Sequence, residues 1–376
     1  MLDIRNIVCK NKIFWCTAIS FLLVFTLISV SLLARHFSAK GDLQIFSTES
    51  HLVLCNASTF HLPASVSNSI GGKSQEDVID LFDNANKKLV HNDFLTRNMS
   101  KCGFYVDCPR WYTVADIENS IIMNNEHMEI LQEYVNKKIE TAHKRAKQDC
   151  NSRSILVTGG WCLITSSGNN NIQILPTIEN RKLVGFPIPH FHVPPSKVIV
   201  RAIIDLIDSE NIQSFNDFGA GVGQYKAAVQ RERPRVNWRS FDGAGNIETY
   251  TNSFVSWADL TMPISIPTAD WAISLEVGEH VPNKFEAMVV RNLHKHNCKG
   301  IILSWAILKQ GGHSHVNCHS NAYVIDLFHD LGYVEDKVLK RKFRGSKSEG
   351  QYGWFLKSLM IFRKIKSTIG CKTSQT

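Results

Sequence analysis

Three glycines, Gly219, Gly221 and Gly223, separate a short apolar segment from a run of helix-forming residues in the stretch FNDFGAGVGQYKAAV, residues 215–229. A strand that enters a helix through such a turn brings the backbone close to a ligand and aims helix N–H groups at it. Asp217 lies just before the glycines, and Asp242 ends the next apolar segment 25 positions later. A carboxylate at that strand end can accept hydrogen bonds from both hydroxyls of a ribose. We therefore expect a ligand with a ribose at this turn.

The order of the residues distinguishes two kinds of glycine turn. The dinucleotide fingerprint G-x-G-x-x-G does not fit, because Gln224 stands at its third glycine. The pattern D-x-G-x-G-x-G from Asp217 instead resembles the first motif of class I S-adenosylmethionine-dependent methyltransferases. The stretch ADWAISLEVGEHVP, residues 269–282, looks very like the motif that follows the fourth strand in many members of that superfamily. The resemblance covers roughly residues 196–364.

This resemblance implies S-adenosyl-L-methionine as the cofactor and a set of residues that bind it. Asp259 resembles the acidic residue near the adenine amino group, and Asp242 the ribose ligand. For Glu276 and Glu279 two roles stay open, because each could line the pocket of the methyl donor or cap the following helix. The expected cofactor-binding residues are Asp217, Gly219, Gly221, Gly223, Asp242, Asp259 and Glu276.

Catalysis by such a protein depends on positioning and on proton removal. A sulfonium methyl group is already a good electrophile, so an acceptor hydroxyl has to be held in line and deprotonated. Histidine suits the second task near neutral pH. His315, His280 and His313 follow strands whose carboxyl ends should line the pocket. His315 is the first candidate because Gly311 and Gly312 leave its loop free to fold over the site, whereas His280 could instead cap the helix near Pro282.

Three H-x-H pairs occur in the sequence, and such a pair on a strand faces one side, as metal ligands do. They are His190 with His192, His294 with His296, and His313 with His315. No further ligands stand at a recognisable spacing and there is no H-E-x-x-H, so the sequence predicts no bound metal. The pair at 294 and 296 is expected to be exposed at a helix end.

The elements that would position these residues alternate between strands and helices. This alternation predicts an α/β fold, a Rossmann-like seven-stranded, mostly parallel sheet with a final antiparallel strand. Thr113 and Asp116 form a plausible capping pair for a long helix that reaches Ile139, and no helix is expected between the last two strands. The predicted strands are 212–218, 236–241, 253–257, 270–275, 300–306, 332–340 and 353–363, and the predicted helices are 196–207, 222–232, 245–250, 283–296 and 319–331.

The amino-terminal part predicts a membrane anchor. Residues 13–34 run without a charge and are long enough to span a bilayer as a helix. Basic residues slightly favour the side before the span, and sequons at Asn56 and Asn98 lie beyond it. Eight cysteines also lie beyond it, with Cys102–Cys108 the expected disulfide, which suits an oxidising lumen. The predicted order is a cytosolic tail 1–12, a signal anchor 13–34, a stem and loop region 35–112, a helical, lumenal lid region 113–195 and a methyltransferase domain 196–376.

This layout predicts a single-pass type II membrane protein of the endoplasmic reticulum or Golgi. The layout, the GGWC turn and the SWA and GGHSHVN stretches are similar to poorly characterised animal methyltransferase-like membrane proteins. A Golgi glycosyltransferase shares the anchor and stem, although its D-x-D signature is absent from the sequence. An inactive, cofactor-binding module is the third interpretation.

The acceptor is left open by the sequence, which carries a net charge of +8. The basic run at residues 337–347 is either a solvated loop or a rim that attracts an anionic acceptor. The lumenal location argues against nucleic acid as a partner.

The topology can be tested through the two sequons. If the body is lumenal, Asn56 and Asn98 carry glycans, and an endoglycosidase lowers the apparent mass of the expressed protein. The Asn56→Gln/Asn98→Gln variant is the control and should not shift. An unshifted wild-type band, together with digestion of the body by protease added to sealed microsomes, would place the body in the cytosol.

Overall fold

The structure is a computed structural model that describes residues 75–90, 102–118, 120, 128–164, 174–179, 182–189 and 192–365. These residues all lie in one compact unit, Ser58–Thr376. Among them, no helix has the length and apolar character needed to cross a membrane. The predicted anchor at 13–34 and the sequons at Asn56 and Asn98 lie outside the described residues, so the topology stays a prediction.

In the described part of the chain, three helices precede the sheet: α1 (Gln75–Lys87), α2 (Val114–Glu118) and α3 (Met128–Asp149). The capping pair is confirmed, because Thr113 N and Oγ1 both donate to Asp116. A single helix from Thr113 to Ile139 is wrong, because α2 ends at Glu118. The apolar residues of α2 and α3 pack against different parts of the protein. Ile117 packs into the core beside the sheet, whereas Leu131 packs against α1.

The sheet domain is entered through an antiparallel hairpin that the sequence did not predict, β1 (Ile174–Glu179) with β2 (Lys182–Pro187). Ser196 then caps the next helix by accepting a hydrogen bond from Ile199 N. The elements that follow are α4 (Lys197–Glu210), β3 (Ser214–Phe218), α5 (Gln224–Glu232), β4 (Asn237–Asp242), α6 (Ile247–Tyr250), β5 (Ser256–Trp257), β6 (Ala269–Leu275), α7 (Glu286–Lys295), β7 (Asn297–Ser304), α8 (Asn321–Asp330), β8 (Tyr333–Glu335), α9 (Lys337–Arg344), α10 (Phe355–Ser358) and β9 (Leu359–Lys364).

Seven of these strands form one sheet in the order β5-β4-β3-β6-β7-β9-β8. All neighbours are parallel except β9, which is antiparallel to both β7 and β8. In this Rossmann-like arrangement the antiparallel strand β9 is inserted between β7 and β8, so the predicted seven-stranded, mostly parallel sheet is confirmed. The strand order reverses between β3 and β6, and ligands in open α/β sheets bind beyond the strand ends at such a point.

Both faces of the sheet are buried, as is usual for parallel sheets. Side chains alternate between the faces along each strand. Trp271 and Ile273 pack with α4 on one face, whereas Ala272 packs with α7 on the other. The continuous apolar runs that marked the strands in the sequence therefore reflect helices on both sides.

The basic run at 337–347 was predicted incorrectly. It forms α9, which also separates the last two strands, so the expected strand 332–340 ends at Glu335. Asp336 caps this helix through Val338 N and Leu339 N, and Phe343 anchors it in the core. The helix does not line the large cavity described below, so it is neither a loop nor a rim. The expected strand 353–363 likewise begins as α10.

Candidate active site

The glycine turn joins β3 to α5 in a conformation that requires glycine. Gly219 and Gly221 have φ values of 73° and 55°, in the left-handed region that side chains disfavour. A Cβ at Gly219 would lie 2.3 Å from a methyl group of Val277, and one at Gly221 would lie 2.8 Å from the His192 ring. Gly223 also has a positive φ. The turn is therefore packed closely between two other segments.

Three N–H groups of this turn are bonded to the end of β4 and are therefore engaged within the protein. Gly219 N and Ala220 N both donate to Phe241 O, at 2.8 and 2.9 Å. Gly221 N donates to Asp242 Oδ2 at 2.8 Å. These bonds tie the turn to the end of β4. The turn thus offers a closely packed backbone surface to the cavity described below.

Two aspartates stand at the ends of β3 and β4. Asp242 Oδ1 accepts a hydrogen bond from Ala244 N, and Asp217 Oδ2 accepts from Trp238 Nε1 and Ser240 Oγ. Burial raises the pKa of Asp217 to about 7 and that of Asp242 to about 6. Carboxylates have more acceptor sites than these bonds fill. Both can therefore accept further bonds from a ligand with hydroxyl or ammonium donors.

These aspartates line a cavity of about 830 Å³ at the carboxyl ends of the strands. Asp259, which follows β5, lines it too and accepts from Thr261 N and Oγ1. Burial raises its pKa as well. The cavity brings together every predicted site residue except Gly223, namely Asp217, Gly219, Gly221, Asp242, Asp259, Glu276, His280, His313 and His315.

A pair of glutamates follows β6 at the opposite wall. Glu276 has a φ of 56° and accepts hydrogen bonds from Ser358 Oγ and Gln310 Nε2, both at 3.1 Å. Glu279 is completely buried, and neither of its carboxylate oxygens has a hydrogen-bond partner in the described part of the chain. Burial, and then the neighbouring Glu276, raise its pKa well above the ordinary value. Neither glutamate caps α7, so the capping alternative is wrong.

Two of the three candidate histidines face this buried carboxylate. His280 Nδ1 lies 3.3 Å from Ser314 O, and His315 Nδ1 lies 2.9 Å from Gln310 O. A carbonyl only accepts, so each Nδ1 carries the proton and each Nε2 keeps a lone pair. One ligand atom each from Glu279, His280 and His315 lies within 4.8 Å of the others. The sequence showed no further ligands beside the H-x-H pairs. In the structure, His315 but not His313 lies next to Glu279 and His280, which follow a different strand.

The remaining histidines have other positions. His313 is exposed, and its ring packs edge to face with that of Trp161, with the ring centroids 4.9 Å apart. His294 and His296 are buried, with 3% and 6% of their surface exposed, so the expectation that they are exposed is wrong. Burial lowers the pKa of His296 to about 4. His190 lies outside the described residues.

Sequence reasoning missed several residues of the cavity wall. Trp161 follows two glycines, and Gly160 packs against the backbone of Gly243, which brings this turn over the cavity. The GGWC stretch was a signal for this turn, but nothing in it indicated its distant partner. Trp354 comes from the segment expected to be strand. The further lining residues that were not predicted are His192, Tyr225, Lys309 and Lys357.

No protein-family model matches the sequence, and no curated protein matches it. Solved structures that match include a magnesium protoporphyrin IX methyltransferase of Synechocystis with bound S-adenosylmethionine, 15% identical over 44% of this chain and 77% of its own, with a TM-score of 0.33. Human N-acetylserotonin methyltransferase is 14% identical over 44% and 51%, with a TM-score of 0.33. A sugar N-methyltransferase of Streptoalloteichus is 9% identical over 46% and 89%, with a TM-score of 0.36.

These matching proteins are methyltransferases, as the resemblance of the first motif implied. Matches at this level of similarity carry no functional argument, so function has to be inferred from the site itself. The similarity to animal membrane proteins stays a prediction.

The predicted role of Asp242 in binding the ribose can be tested by mutation, with a control aspartate that also accepts hydrogen bonds from two backbone N–H groups. Asp242→Ala should weaken S-adenosylmethionine binding by about ten- to a hundredfold, since a charged hydrogen bond contributes about 1.5–3 kcal/mol. Asp270 is the control because it accepts hydrogen bonds from Gln213 N and Ser214 N at the amino-terminal ends of the strands, away from the cavity. Calorimetry should find unchanged affinity for Asp270→Ala. Equal affinities for both variants would mean that β4 does not hold the ribose.

Asp217 should make the ligand-free protein less stable as the pH rises. Its folded pKa of about 7 lies above the ordinary 3.8, so between these values the folded state holds a proton that the unfolded state releases. Stability is then fully present below about pH 4 and is lost as the pH rises through 7, by up to about 4 kcal/mol. Thermal unfolding across this range should depend less on pH in Asp217→Asn. Identical pH dependence in both proteins would contradict the buried carboxyl.

Proposed function

We propose that the protein transfers a methyl group from S-adenosyl-L-methionine to a hydroxyl of an acceptor. One observation carries this proposal. A single cavity at the topological switch point has the glycine turn with Asp217 and Asp242 on one wall and His280 and His315 at the other. The buried Glu279 lies beside these two histidines, with one ligand atom of each residue within 4.8 Å of the others. The first wall suits the cofactor, and the second suits a hydroxyl that must lose a proton.

The charges of the cavity support this cofactor over nucleotides with a pyrophosphate. Four carboxylates line it, from Asp217, Asp242, Asp259 and Glu276. S-adenosylmethionine carries a sulfonium and an ammonium, which these groups attract, whereas a pyrophosphate would be repelled. The N–H groups of the glycine turn are also engaged by β4. A nucleotide-sugar enzyme and a dinucleotide enzyme are therefore disfavoured.

The Glu279 cluster fits a divalent cation. Without a cation the buried carboxyl group of Glu279 is held in its neutral form, and a bound cation would stabilise the ionised form. The Nδ1 atoms of His280 and His315 are held by backbone carbonyls, which is how metal-binding histidines are oriented. A cation bound there would polarise an acceptor hydroxyl and lower its pKa. His280 and His315 thus act at the reacting hydroxyl, and either would take its proton directly if no cation is bound.

An acceptor with a negative charge fits the outer part of the cavity. Lys309 and Lys357 are the cationic side chains, apart from histidine, among its described lining residues, and both are exposed. Trp161 and Trp354 add flat apolar surfaces beside them. His313, at the rim, can contact the acceptor without belonging to the cluster. An anionic acceptor is therefore still expected, but the attracting residues differ from those of α9.

The location in the secretory pathway, with an anchor at 13–34, remains part of this proposal. The disulfides Cys102–Cys108 and Cys150–Cys162 support an oxidising compartment. The first of them is the pair that the sequence predicted. An inactive cofactor-binding module would retain the first wall, but it would have no need to keep a buried carboxylate beside two oriented histidines.

The cation can be tested with Mn²⁺ in the presence of S-adenosylmethionine. Glu279→Gln and His315→Ala should each weaken Mn²⁺ binding by about tenfold or more, since each removes a ligand. His313→Ala is the matched control on the same loop and should bind as the wild type does. Electron paramagnetic resonance measures free Mn²⁺, and calorimetry checks that cofactor affinity is kept.

The same variants test the reaction when labelled S-adenosylmethionine is incubated with a microsomal extract as the source of acceptor. Product should carry the methyl label with the wild type and lose most of it with Glu279→Gln. If the wild type binds no Mn²⁺ but labels acceptor, the cation is excluded and a histidine base remains. If it binds no S-adenosylmethionine, the proposed function is wrong.

A further inference from the structure

A short disulfide loop, Cys102–Cys108, lies against the loop that carries the candidate histidines. The latter, residues 307–318, is here called the histidine loop. Lys309 N donates to Phe104 O at 2.7 Å, and Cys318 N donates to Gly103 O at 2.5 Å. The disulfide loop therefore holds both ends of the histidine loop, although about two hundred residues separate them in the sequence.

Asp107 extends this contact beyond the histidine loop. Its carboxylate accepts hydrogen bonds from Ser320 N and Oγ at 2.7 and 2.6 Å, and it lies 3.2 Å from His319 Nδ1. His319 Nε2 in turn lies 2.5 Å from Glu286 Oε2. Hydrogen bonds to a carboxylate are among the stronger ones in proteins. Asp107 thus holds His319 and Ser320, the two residues immediately after the histidine loop.

The opposite side of the histidine loop rests on the Glu279 turn. Val316 N and Asn317 N donate to Glu279 O at 2.8 and 3.0 Å, and Trp305 Nε1 donates to Asn317 O at 2.6 Å. The histidine loop is thereby held between the disulfide loop and the turn that carries Glu279. The distance of His315 from Glu279 depends on both supports.

The second disulfide supports the other wall. Cys150–Cys162 fixes the segment whose Leu163 N and O bond to the Asn246 side chain at 2.9 and 2.7 Å. Asn246 follows β4, at the wall where Asp242 stands. Cys102–Cys108 and Cys150–Cys162 therefore support different halves of the cavity.

We propose that the Cys102–Cys108 loop positions the acceptor half of the active site, with Asp107 as the positioning residue. The proposal rests on the proposed function in assigning that half to the acceptor. Loss of the Asp107 contacts should loosen the histidine loop and separate His315 from Glu279. The cofactor wall should keep its geometry because none of its described hydrogen bonds involves residues 102–108.

Asp107→Ala is the main variant, measured by hydrogen exchange of the histidine loop and by binding of Mn²⁺ and S-adenosylmethionine to the full chain. We expect exchange at residues 307–318 to become about tenfold faster or more. Mn²⁺ affinity should fall by a similar factor, while S-adenosylmethionine affinity stays within about twofold. Asp107→Asn keeps an acceptor oxygen for Ser320 and should restore part of both effects.

Two further variants serve as controls. Asp330→Ala removes an exposed ion pair with Arg110, just beyond the disulfide loop, and should change neither exchange nor binding. Cys102→Ser/Cys108→Ser should reproduce the effect of Asp107→Ala. Cys150→Ser/Cys162→Ser should mainly lower the affinity for S-adenosylmethionine, and the factor by which it does so should exceed the factor by which hydrogen exchange at residues 307–318 becomes faster. If a cysteine variant does not fold, the Asp107 variants carry the test.

Unchanged exchange at 307–318 in a folded Asp107→Ala protein would overturn the proposal. So would an equal loss of cofactor affinity, since the loop would then support the whole domain. These outcomes are distinct from failure of the proposed function, in which the wild type itself binds no S-adenosylmethionine while the exchange measurement still reports on the histidine loop.

Discussion

The carboxylate of Glu286, at the start of α7, organises the acceptor side of the protein. It is buried, and it accepts hydrogen bonds from five side chains on segments that are far apart in the sequence. Burial acts to raise its pKa, but His319 and these bonds hold the pKa below the ordinary value. A buried charge is tolerated only when such partners satisfy it, and removal of one partner is costly. The donors are Tyr112, Asn283, Asn317, His319 and Tyr323.

Glu279 presents the opposite case only a few residues earlier. Its carboxylate is equally buried, yet it has no hydrogen-bond partner among the described residues. Next to it, Glu276 holds a positive φ, which costs a residue other than glycine roughly 1–3 kcal/mol. The positive φ of Glu276 and the buried, neutral carboxyl group of Glu279 thus occur within four residues of each other after β6. Hydrogen-bond donors therefore keep Glu286 ionised, whereas burial favours the neutral form of Glu279.

The aspartates beside the glycine turn, Asp217 and Asp242, are also buried carboxyl groups, but they are less completely buried than Glu279. Asp217 and Asp242 each retain two hydrogen bonds, so the turn between β3 and α5 is fixed before any ligand binds. Burial favours the neutral forms of both groups and so raises their pKa values. A cationic ligand with hydroxyl donors would stabilise the charged forms and lower these pKa values again. Asp217 and Asp242 therefore both fix the geometry of this turn and favour a positively charged ligand beside it.

The sequence by itself determined the sheet, its switch point and the glycine turn with its two aspartates. Strand periodicity, Gly219, Gly221 and the spacing of Asp217 and Asp242 are local properties, and they depend on backbone geometry within one β-α-β unit. Only the tertiary structure decided what surrounds the other wall. Glu279, His315 and the Cys102–Cys108 loop come from three separate segments, and their contact depends on loop packing that no periodicity encodes. The burial of His294 and His296 was hidden for the same reason, because the elements that cover them are distant in the chain.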